Sequence, residues 1–241
     1  MGNIAQLTNS VILLVRAAGT GIKHKFAVYS SYFGIQATIA LAYNSQPLNW
    51  GMQVLDTPLK DVRLIQPQRF GDSRGWFAEV FNQSTFSAAG LPTHFVQDNQ
   101  SFSAKGVLRG LHYQLGQPQG KLIRVLSGHI WDIAVDLRRN SPDFGKWAGF
   151  HLKSQSAEGP LQMLWIPEGF AHGFLVLSDT AEVLYKTTDF YHPASERSIL
   201  WNDATLNIVW PLEALDGSPP SVSPNDAQRT SFPDADLPPV T

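Results

Sequence analysis

The sequence predicts an all-β protein folded as a jelly-roll β-barrel. From Asp61 onward, short runs of β-branched and aromatic residues alternate with turn signals, at the spacing of ~8–12 residues typical of sandwiches and jelly rolls. The 241 residues include 19 glycines and 16 prolines, which favour turns over long helices. No helical stripe of similar length appears, so we expect only short peripheral helices, one of them after Ser84.

Ten strands are predicted, each bounded by turn-forming residues. Along one of them the odd-numbered positions from Trp131 to Leu137 are apolar, whereas the even-numbered positions from Asp132 to Asp136 carry two aspartates. Beyond Trp210 the chain is rich in Pro and Ser, which indicates an irregular C-terminal tail that either wraps the barrel or is disordered. The predicted strands are Val62–Gln66, Trp76–Phe81, Phe95–Phe102, Val107–Tyr113, Lys121–Leu126, Ile130–Leu137, Ala148–Leu152, Met163–Ile166, Gly173–Leu177 and Glu182–Thr187.

Residues 1–55 read as an N-terminal extension ahead of a single domain over residues 56–241. The first acidic residue is Asp56, and the run Phe26–Tyr43 has 18 residues without a charge, the minimum for a membrane span, although its Ser, Gly, Gln and Thr weaken that interpretation. Val11–Val15 is too short to span a membrane. The extension is interpreted as a disordered upstream segment, a targeting segment or an accessory segment.

The charge balance and the absence of cysteine exclude several classes of protein. With 18 basic and 20 acidic residues the net charge is −2, which excludes a broadly basic nucleic-acid binder. Zero cysteines exclude disulfides, zinc–thiolate sites, iron–sulfur clusters and a cysteine nucleophile. We expect a cytoplasmic protein whose folded domain needs neither nucleic acid nor membrane.

One predicted strand carries an arginine and a histidine among apolar residues. Burying Arg109 and His112 without partners would cost several kcal/mol, although a lone strand histidine is more often structural. Strict alternation places these two side chains on opposite faces. For both to face one pocket the strand must bulge, and Gly110 is the position that tolerates a bulge.

Three further polar residues stand at strand positions. Lys121 follows a glycine-rich turn and is either a charge guarding a strand edge or a pocket residue. His172 begins a strand after the turn Pro167–Gly169, and Tyr185 lies late in an apolar strand, where a tyrosine is usually part of the core. Together they favour a polar pocket without naming a reaction.

The spacing Pro167-x-Gly169-x-x-His172 resembles the second sequence motif of the cupins. Metal-binding cupins also need a His-x-His pair and a Glu, but His112 is followed by Tyr113 and Gln114. Two plausible imidazoles are too few for a firmly held catalytic metal. We therefore expect a cupin-type jelly roll without a metal or another cofactor.

Six blocks of sequence, in order between about Asp61 and Pro211, resemble the dTDP-4-dehydrorhamnose 3,5-epimerase family. The N-terminal extension lies outside this resemblance. The blocks are Phe70–Glu79, Phe95–Asn99, Leu108–Gln114, Gln119–Leu122, Trp165–Phe174 and Trp201–Asp203.

The resemblance implies a metal-free cupin, an isomerase and a homodimer. Its substrate would be dTDP-4-dehydro-6-deoxy-D-glucose, inverted at C3 and C5 in dTDP-L-rhamnose biosynthesis, a route to surface polysaccharide. His112 would be the base, oriented by Asp226; Lys121 would stabilise the enolate, and Tyr185 would return a proton from the opposite face. Asn225 departs from the family, which commonly has Lys before the tail Asp.

Eight further positions match residues that hold the nucleotide sugar in the family: Arg74, Glu79, Gln97, Asp98, Asn99, Arg109, His172 and Glu196. Arginines suit the diphosphate oxygens because they form charge-assisted, bidentate hydrogen bonds. Two alternatives remain open: an epimerase that inverts only C3 or C5 of a related dTDP-deoxysugar, and a barrel that binds a nucleotide sugar without turnover.

Overall fold

The computed structural model describes residues 51–154 and 159–238, which are dominated by antiparallel β-structure. The two α-helices of this part are short, and two single 3₁₀ turns cover Pro193–Ser195 and Leu212–Leu215. The strands and helices are β1 (Gln53–Asp56), β2 (Arg63–Gln66), β3 (Phe70–Asp72), β4 (Gly75–Phe77), α1 (Gln83–Ala88), β5 (Gln97–Ala104), β6 (Val107–Gln114), β7 (Lys121–Ser127), β8 (His129–Asp136), β9 (Trp147–Lys153), β10 (Met163–Ile166), β11 (Phe170–Val176), β12 (Thr180–Thr187), β13 (Glu196–Ser198), β14 (Ser221–Val222) and α2 (Pro224–Ala227).

Two larger sheets form the barrel. The first has the order β1-β2-β10-β7-β12-β5, and the second has the order β13-β6-β11-β8-β9. All of these neighbours are antiparallel; β14 adds to β6 in parallel, and β3 and β4 form a separate hairpin. Sequence neighbours β6 and β7 lie in different sheets, as do β7 and β8, which is the crossing pattern of the predicted jelly roll.

The core lies between the two sheets. Ile123 and Val125 from the first sheet pack in one apolar cluster with Ile130, Ala134 and Phe174 from the second. In β8 the even-numbered side chains therefore point into the barrel. The alternation predicted for this strand is confirmed, and its aspartate face is the inner one.

The C-terminal tail covers the outer face of the second sheet. Ile133 and Val135 pack in a second apolar cluster with Trp210, Leu215 and Ala235 from the tail. The Tyr113 hydroxyl donates to the backbone oxygen of Asp236 at 2.7 Å, which ties the end of the tail to β6. Of the two predicted behaviours of the tail, wrapping is the one that the structure shows.

All ten predicted strands have counterparts; Met163–Ile166 has the predicted ends, and the others are shifted at one or both ends. The strand predicted over Trp76–Phe81 stops at Phe77, and the one predicted from Phe95 begins at Gln97. The short helix predicted after Ser84 is α1, whose first amides are capped by the Asn82 side chain. Strands β1, β3, β13 and β14 were not predicted; they have two to four residues and show no clear alternation.

The predicted domain boundary at residue 55 cuts through β1, which pairs with β2 from Gln53 onward. The interpretations of Val11–Val15 and Phe26–Tyr43 lie outside the described residues. The helices of residues 51–154 and 159–238 include none with the length and apolar composition of a membrane span.

Candidate active site

A cavity with two adjoining lobes opens beside β6. The lobe inside the barrel, here called the barrel lobe, has a volume of about 260 Å³, and the lobe under the C-terminal segment, the tail lobe, has about 500 Å³. Residues that line both lobes are Arg109, His112, Tyr191 and Glu196. The barrel lobe adds Lys121, His172 and Tyr185, whereas the tail lobe adds Asn225, Asp226 and Arg229.

A β-bulge in β6 brings Arg109 and His112 to the same cavity. His172 of β11 pairs with His112, but Phe174, only two residues further, pairs with Arg109, so β6 holds one extra residue. Gly110 lies there with a φ of 126°, and a Cβ atom at this position would be 2.5 Å from the Cα of Gly173. The predicted bulge is confirmed, and its tight packing requires glycine.

His112 and Asp226 form a hydrogen-bonded pair between the barrel and the tail. Nε2 of His112 lies 2.7 Å from Oδ1 of Asp226. Burial alone would raise the pKa of Asp226, but the hydrogen bond and charge of His112, with bonds from Ser223 and the Gly110 amide, lower it overall. The carboxylate is therefore ionised at neutral pH and accepts the hydrogen bond. Helix α2, with Ser223 as N-cap, holds Asp226 in this place.

A second buried pair lies deeper in the barrel lobe. Nε2 of His172 is 2.9 Å from Oδ2 of Asp132, a residue with no exposed surface. Burial raises the pKa of Asp132, while the neighbouring His172 and Lys121 oppose that rise. Lys121 is itself 7% exposed, and burial lowers its pKa to about 8. The negative charges of Asp132 and Glu196 act in the other direction and raise that pKa.

Lys121 lies between two strands of the first sheet rather than at a sheet edge. Strand β7 is flanked by β10 and β12, so the strand-edge alternative for Lys121 is wrong. Its Nζ donates to the backbone oxygen of His112 at 3.4 Å, which directs the ammonium group toward β6. A buried cation at this point is costly unless an anion nearby stabilises it.

Tyr185 faces the same lobe from β12. Burial raises the pKa of its hydroxyl, Arg109 opposes that rise and Glu196 adds to it. The hydroxyl therefore keeps its proton at neutral pH. Tyr185 is half-buried: it packs against the apolar core cluster, as the core alternative predicts, and it also lines the lobe.

The predicted binding residues separate into two groups. Arg109, His172 and Glu196 line the cavity. Gln97 and Asn99 lie on the face of β5 that also carries the lining residue Ser101, and Gln97 accepts a hydrogen bond from the Tyr191 amide.

The other three predicted binding residues, Asp98, Arg74 and Glu79, lie away from the cavity of their own chain. Asp98 points from the opposite face of β5 and forms an ion pair with Lys186 at 2.9 Å. Arg74 stands exposed at the tip of the β3–β4 hairpin, bound to Asp72. Glu79 accepts a hydrogen bond from Asn82 at 3.1 Å. No lining residue of either lobe comes from the hairpin.

Asp132, which pairs with His172, and the lining residues Tyr191 and Arg229 were not among the predicted site residues. Asp132 carried a signal, because a carboxylate in a strand this apolar needs a partner, but alternation alone does not say which face is inside. Tyr191 and Arg229 lie in segments without periodicity. In the described part of the chain, no group of three or more His, Cys, Asp or Glu side chains is arranged to hold a metal ion.

The fold and the cavity together define a cupin-type jelly roll whose site is built from histidine–carboxylate pairs, a buried lysine and a tyrosine, which are the groups of acid–base chemistry. The sequence profile of the dTDP-4-dehydrorhamnose 3,5-epimerase family matches residues 56–234, and the chain belongs to this family. The family is one of isomerases.

Individual relatives agree with that assignment. The chain is 55% identical over 186 residues to the dTDP-4-dehydrorhamnose 3,5-epimerase of Pseudomonas aeruginosa, covering 77% of this chain and 98% of the relative. It is 53% identical over 188 residues to the enzyme of that name from Shigella flexneri, with coverage of 77% and 98%. A crystal structure of the Legionella pneumophila dTDP-6-deoxy-D-glucose-3,5-epimerase in complex with dTDP-4-keto-L-rhamnose superposes with a TM-score of 0.73 at 45% identity, covering 79% of this chain and 99% of that one.

Proposed function

We propose that this chain converts dTDP-4-dehydro-6-deoxy-D-glucose into dTDP-4-dehydro-L-rhamnose by inverting C3 and C5. The observation that carries the proposal is the His112–Asp226 pair, which opens on the same cavity as Lys121 and Tyr185. Membership of the family supports the choice of substrate, because its members act on 4-keto sugars linked to dTDP. Both carbons lie α to the C4 ketone, so one acid–base apparatus serves both.

His112 acts as the base. The ionised Asp226 accepts a hydrogen bond from Nε2 of His112, which leaves the lone pair of Nδ1 free to take a proton from C3 or C5. The imidazolium that forms stays paired with Asp226. A positioned base of this kind contributes about 10²–10⁴-fold to a rate.

Lys121 stabilises the enolate. When the proton leaves C3 or C5, negative charge develops on the C4 oxygen, and an ammonium group held in place beside it lowers the barrier more than it strengthens substrate binding. With a pKa of about 8, Lys121 is mostly charged at pH 7. Asp132 lies near Lys121 and favours this charged state.

Tyr185 returns the proton on the opposite face of the sugar. Inversion requires that removal and return occur on different faces, and Tyr185 comes from the first sheet whereas His112 comes from the second. Because burial keeps its hydroxyl protonated, Tyr185 is an acid rather than a second base.

Arg109 binds the diphosphate. Its guanidinium lies at the junction of the two lobes, where Ser103 accepts a hydrogen bond from Nε at 3.2 Å. The amides of Gln97 and Asn99, hydrogen-bonded to each other at 2.9 Å, are available for the nucleoside end. His172 and Glu196 complete the contacts to the sugar within this chain.

A homodimer completes the proposal. The hairpin that carries Arg74 exposes Phe70, Trp76 and Phe77, and large exposed apolar patches mark interaction surfaces. A second copy packed against this hairpin would bring Arg74 and Glu79 to a cavity that they do not reach in their own chain. The cytoplasmic location stays a prediction.

Incubation of the purified protein with dTDP-4-dehydro-6-deoxy-D-glucose in D2O tests the activity by mass spectrometry. We expect the recovered sugar nucleotide to gain two deuterons. A gain of one indicates an epimerase that inverts only one carbon, and no gain indicates a protein that binds without turnover; either result overturns the proposal.

A further inference from the structure

We propose that Arg229 binds the diphosphate of the substrate together with Arg109, so that the phosphates lie in the tail lobe while the sugar occupies the barrel lobe. This inference rests on the proposed function of the same cavity and deepens it. It gives a role to the tail lobe, which Arg229 lines. Arg229 contributes to binding and takes no part in proton transfer.

The positions of the reacting groups decide which lobe holds the sugar. Lys121 and Tyr185 line the barrel lobe and do not line the tail lobe, so the sugar ring must enter the barrel lobe to reach them. The diphosphate is bonded to C1 of the sugar and therefore lies toward the opening of that lobe, where Arg109 lines both lobes. The tail lobe, with a volume of about 500 Å³, is the space that continues from this junction.

The tail lobe presents positive charge from two sides. Its lining cations are Arg109 from β6 and Arg229 from the C-terminal tail, and no lysine of the described residues lines it. Each phosphate of a nucleoside diphosphate sugar carries one negative charge. Guanidinium groups match phosphate oxygens well, because their planar donors form charge-assisted and often bidentate hydrogen bonds.

The guanidinium of Arg229 is positioned by the tail and left available for a ligand. Its Nε is buried and has no hydrogen-bond partner among the described residues. The 3.9 Å from this Nε to Oδ1 of Asp226 is too long for a hydrogen bond. The side chain is 28% exposed, so part of it stays open to the lobe that it lines. A partly buried cation without a close acceptor is costly, and a phosphate oxygen in the lobe would remove that cost.

The two carboxylates that line the tail lobe are already bound to donors of the protein. Asp226 accepts hydrogen bonds from His112, Ser223 and the Gly110 amide. Glu196 accepts one from the Tyr191 hydroxyl at 3.2 Å. These donors compensate part of the negative charge of both groups, which reduces their repulsion of a phosphate.

The charge of Arg229 reaches the junction of the two lobes. Burial raises the pKa of the Tyr191 hydroxyl, Glu196 adds to that rise and Arg229 opposes it. Tyr191 lines both lobes, as Arg109 does. Arg109 and Arg229 therefore act on the same part of the cavity, one from the barrel and the other from the tail.

Asn225 offers a second position from which a cation can face the tail lobe. It lines that lobe, is exposed and lies in α2, four residues before Arg229. A lysine at this position would present its ammonium group to the same space. Asn225→Lys can therefore replace the charge that Arg229→Gln removes, without restoring the arginine side chain itself.

Isothermal titration calorimetry with dTDP tests the inference without turnover. In Arg229→Gln we expect the Kd for dTDP to rise about tenfold or more, the effect of losing a charge-assisted hydrogen bond. Arg229→Lys keeps the charge but loses the planar fork, so its Kd should rise less. Asn225→Lys combined with Arg229→Gln should recover part of the lost affinity. Arg197→Gln removes a cation from another tail contact, with Asp236, and should leave the Kd unchanged.

A second measurement uses the unsubstituted protein. The NMR signal of the Arg229 Nε–H group, assigned by its loss in Arg229→Lys, should shift when dTDP is added. It should also shift with inorganic pyrophosphate, because the inference assigns the contact to the phosphates rather than to the base. This measurement decides the inference even if Arg229→Gln does not fold.

In turnover, Arg229→Gln should raise KM and leave kcat nearly unchanged, since the phosphates take no part in the bonds that change. An unchanged Kd for dTDP, or a signal that does not move with either ligand, overturns the inference. So does a rise in Kd that Asn225→Lys leaves unaltered, because the effect then comes from the shape of the tail rather than from its charge. If the unsubstituted protein binds dTDP without turning over the sugar nucleotide, the proposed function fails, while the titration still decides this inference. If it does not bind dTDP, both fail.

Discussion

His112 and Lys121 show how burial divides the chemistry of this cavity. The His112 side chain is 35% exposed and reaches both lobes, so its ring can meet a substrate, whereas Lys121 is almost wholly buried. Burial lowers the pKa of Lys121 to about 8. The residue is therefore mostly charged at pH 7, and a modest rise in pH removes that charge.

Lys121 should therefore set a basic limit to the reaction. Below about pH 8 its ammonium is mostly protonated and, in the proposed mechanism, stabilises the enolate. Above about pH 8 the proton is lost, and kcat/KM should fall. Lys121→Gln should lower kcat by about 10²-fold or more, with a smaller change in KM, and should abolish this basic limb. The measurement is the steady-state rate between about pH 6 and about pH 9.5, a range that covers both sides of that pKa.

Lys105→Gln is the matched control, because Lys105 forms a surface ion pair with Asp216 away from the cavity. We expect its pH profile to overlay that of the unsubstituted protein. A basic limb that survives in Lys121→Gln would assign it to another group.

Tyr185→Phe separates proton removal from inversion. With His112 intact, deuterium from the solvent should still enter the sugar, but it should be returned to the face from which the proton was taken. Formation of the inverted product should fall by about 10²-fold or more, the usual contribution of a general acid. Product stereochemistry from proton coupling constants is the measurement, and inversion at a normal rate would contradict the role of Tyr185.

Most of the side chains to which the proposed mechanism gives a role are visible in the sequence, for a physical reason. His112, Lys121, His172 and Tyr185 stand out because polar groups in apolar strands need partners. Asp132 was missed because the two faces of β8 are both buried, one against the barrel interior and the other against the tail. Arg229 lies in a segment without periodicity, so only its three-dimensional position reveals it.

At the scale of elements, the bulge in β6 is what places Arg109 and His112 together. Gly110→Ala should destabilise the fold, because the new Cβ would lie 2.5 Å from the Cα of Gly173 and 2.8 Å from the His172 oxygen, at a φ of 126°. Gly90→Ala is the control: its φ is 70°, and no atom lies within 4 Å of the added Cβ.

The free energy of unfolding from denaturant titration measures both variants. Gly90→Ala should lose about 1–2 kcal/mol, the cost of a left-handed backbone. Gly110→Ala should lose at least ~2 kcal/mol more, since overpacking adds to the strain. Equal losses would show that β6 can relax around the new methyl group.

The strands with clear alternation are predictable, and the short ones are not. β6, β8 and β12 each have eight residues and enough apolar positions to indicate a strand. β13 and β14 have three and two residues, and each exists because its segment of chain returns to pair with β6. Such pairing depends on tertiary contacts that local pattern does not contain.

At the scale of the whole molecule, the position of Arg74 is where the structure of the single chain and the family resemblance disagree. The resemblance places Arg74 with the nucleotide sugar, yet the structure leaves it exposed on a hairpin away from the cavity of its own chain. A site that spans two chains would reconcile these facts, and neither sequence pattern nor a single chain can display it.

Mixed dimers test the shared site. Arg74→Ala and His112→Asn chains should each be nearly inactive alone. Unfolded and refolded together in equal amounts, they should recover about a quarter of the unsubstituted activity, because half of the dimers are mixed and each has one intact site. No recovery, with dimers confirmed by sedimentation, would place Arg74 in the site of its own chain or outside any site.

The central claim is that one base, His112, serves both carbons next to the ketone. Proton NMR of dTDP-4-dehydro-6-deoxy-D-glucose incubated in D2O with the protein, and with His112→Asn, tests it most directly. We predict deuterium at both C3 and C5 with the unsubstituted protein, and exchange slowed by about 10²-fold or more at both positions in His112→Asn. Exchange that persists at either carbon in the variant would contradict the claim, because a second base would then serve that position.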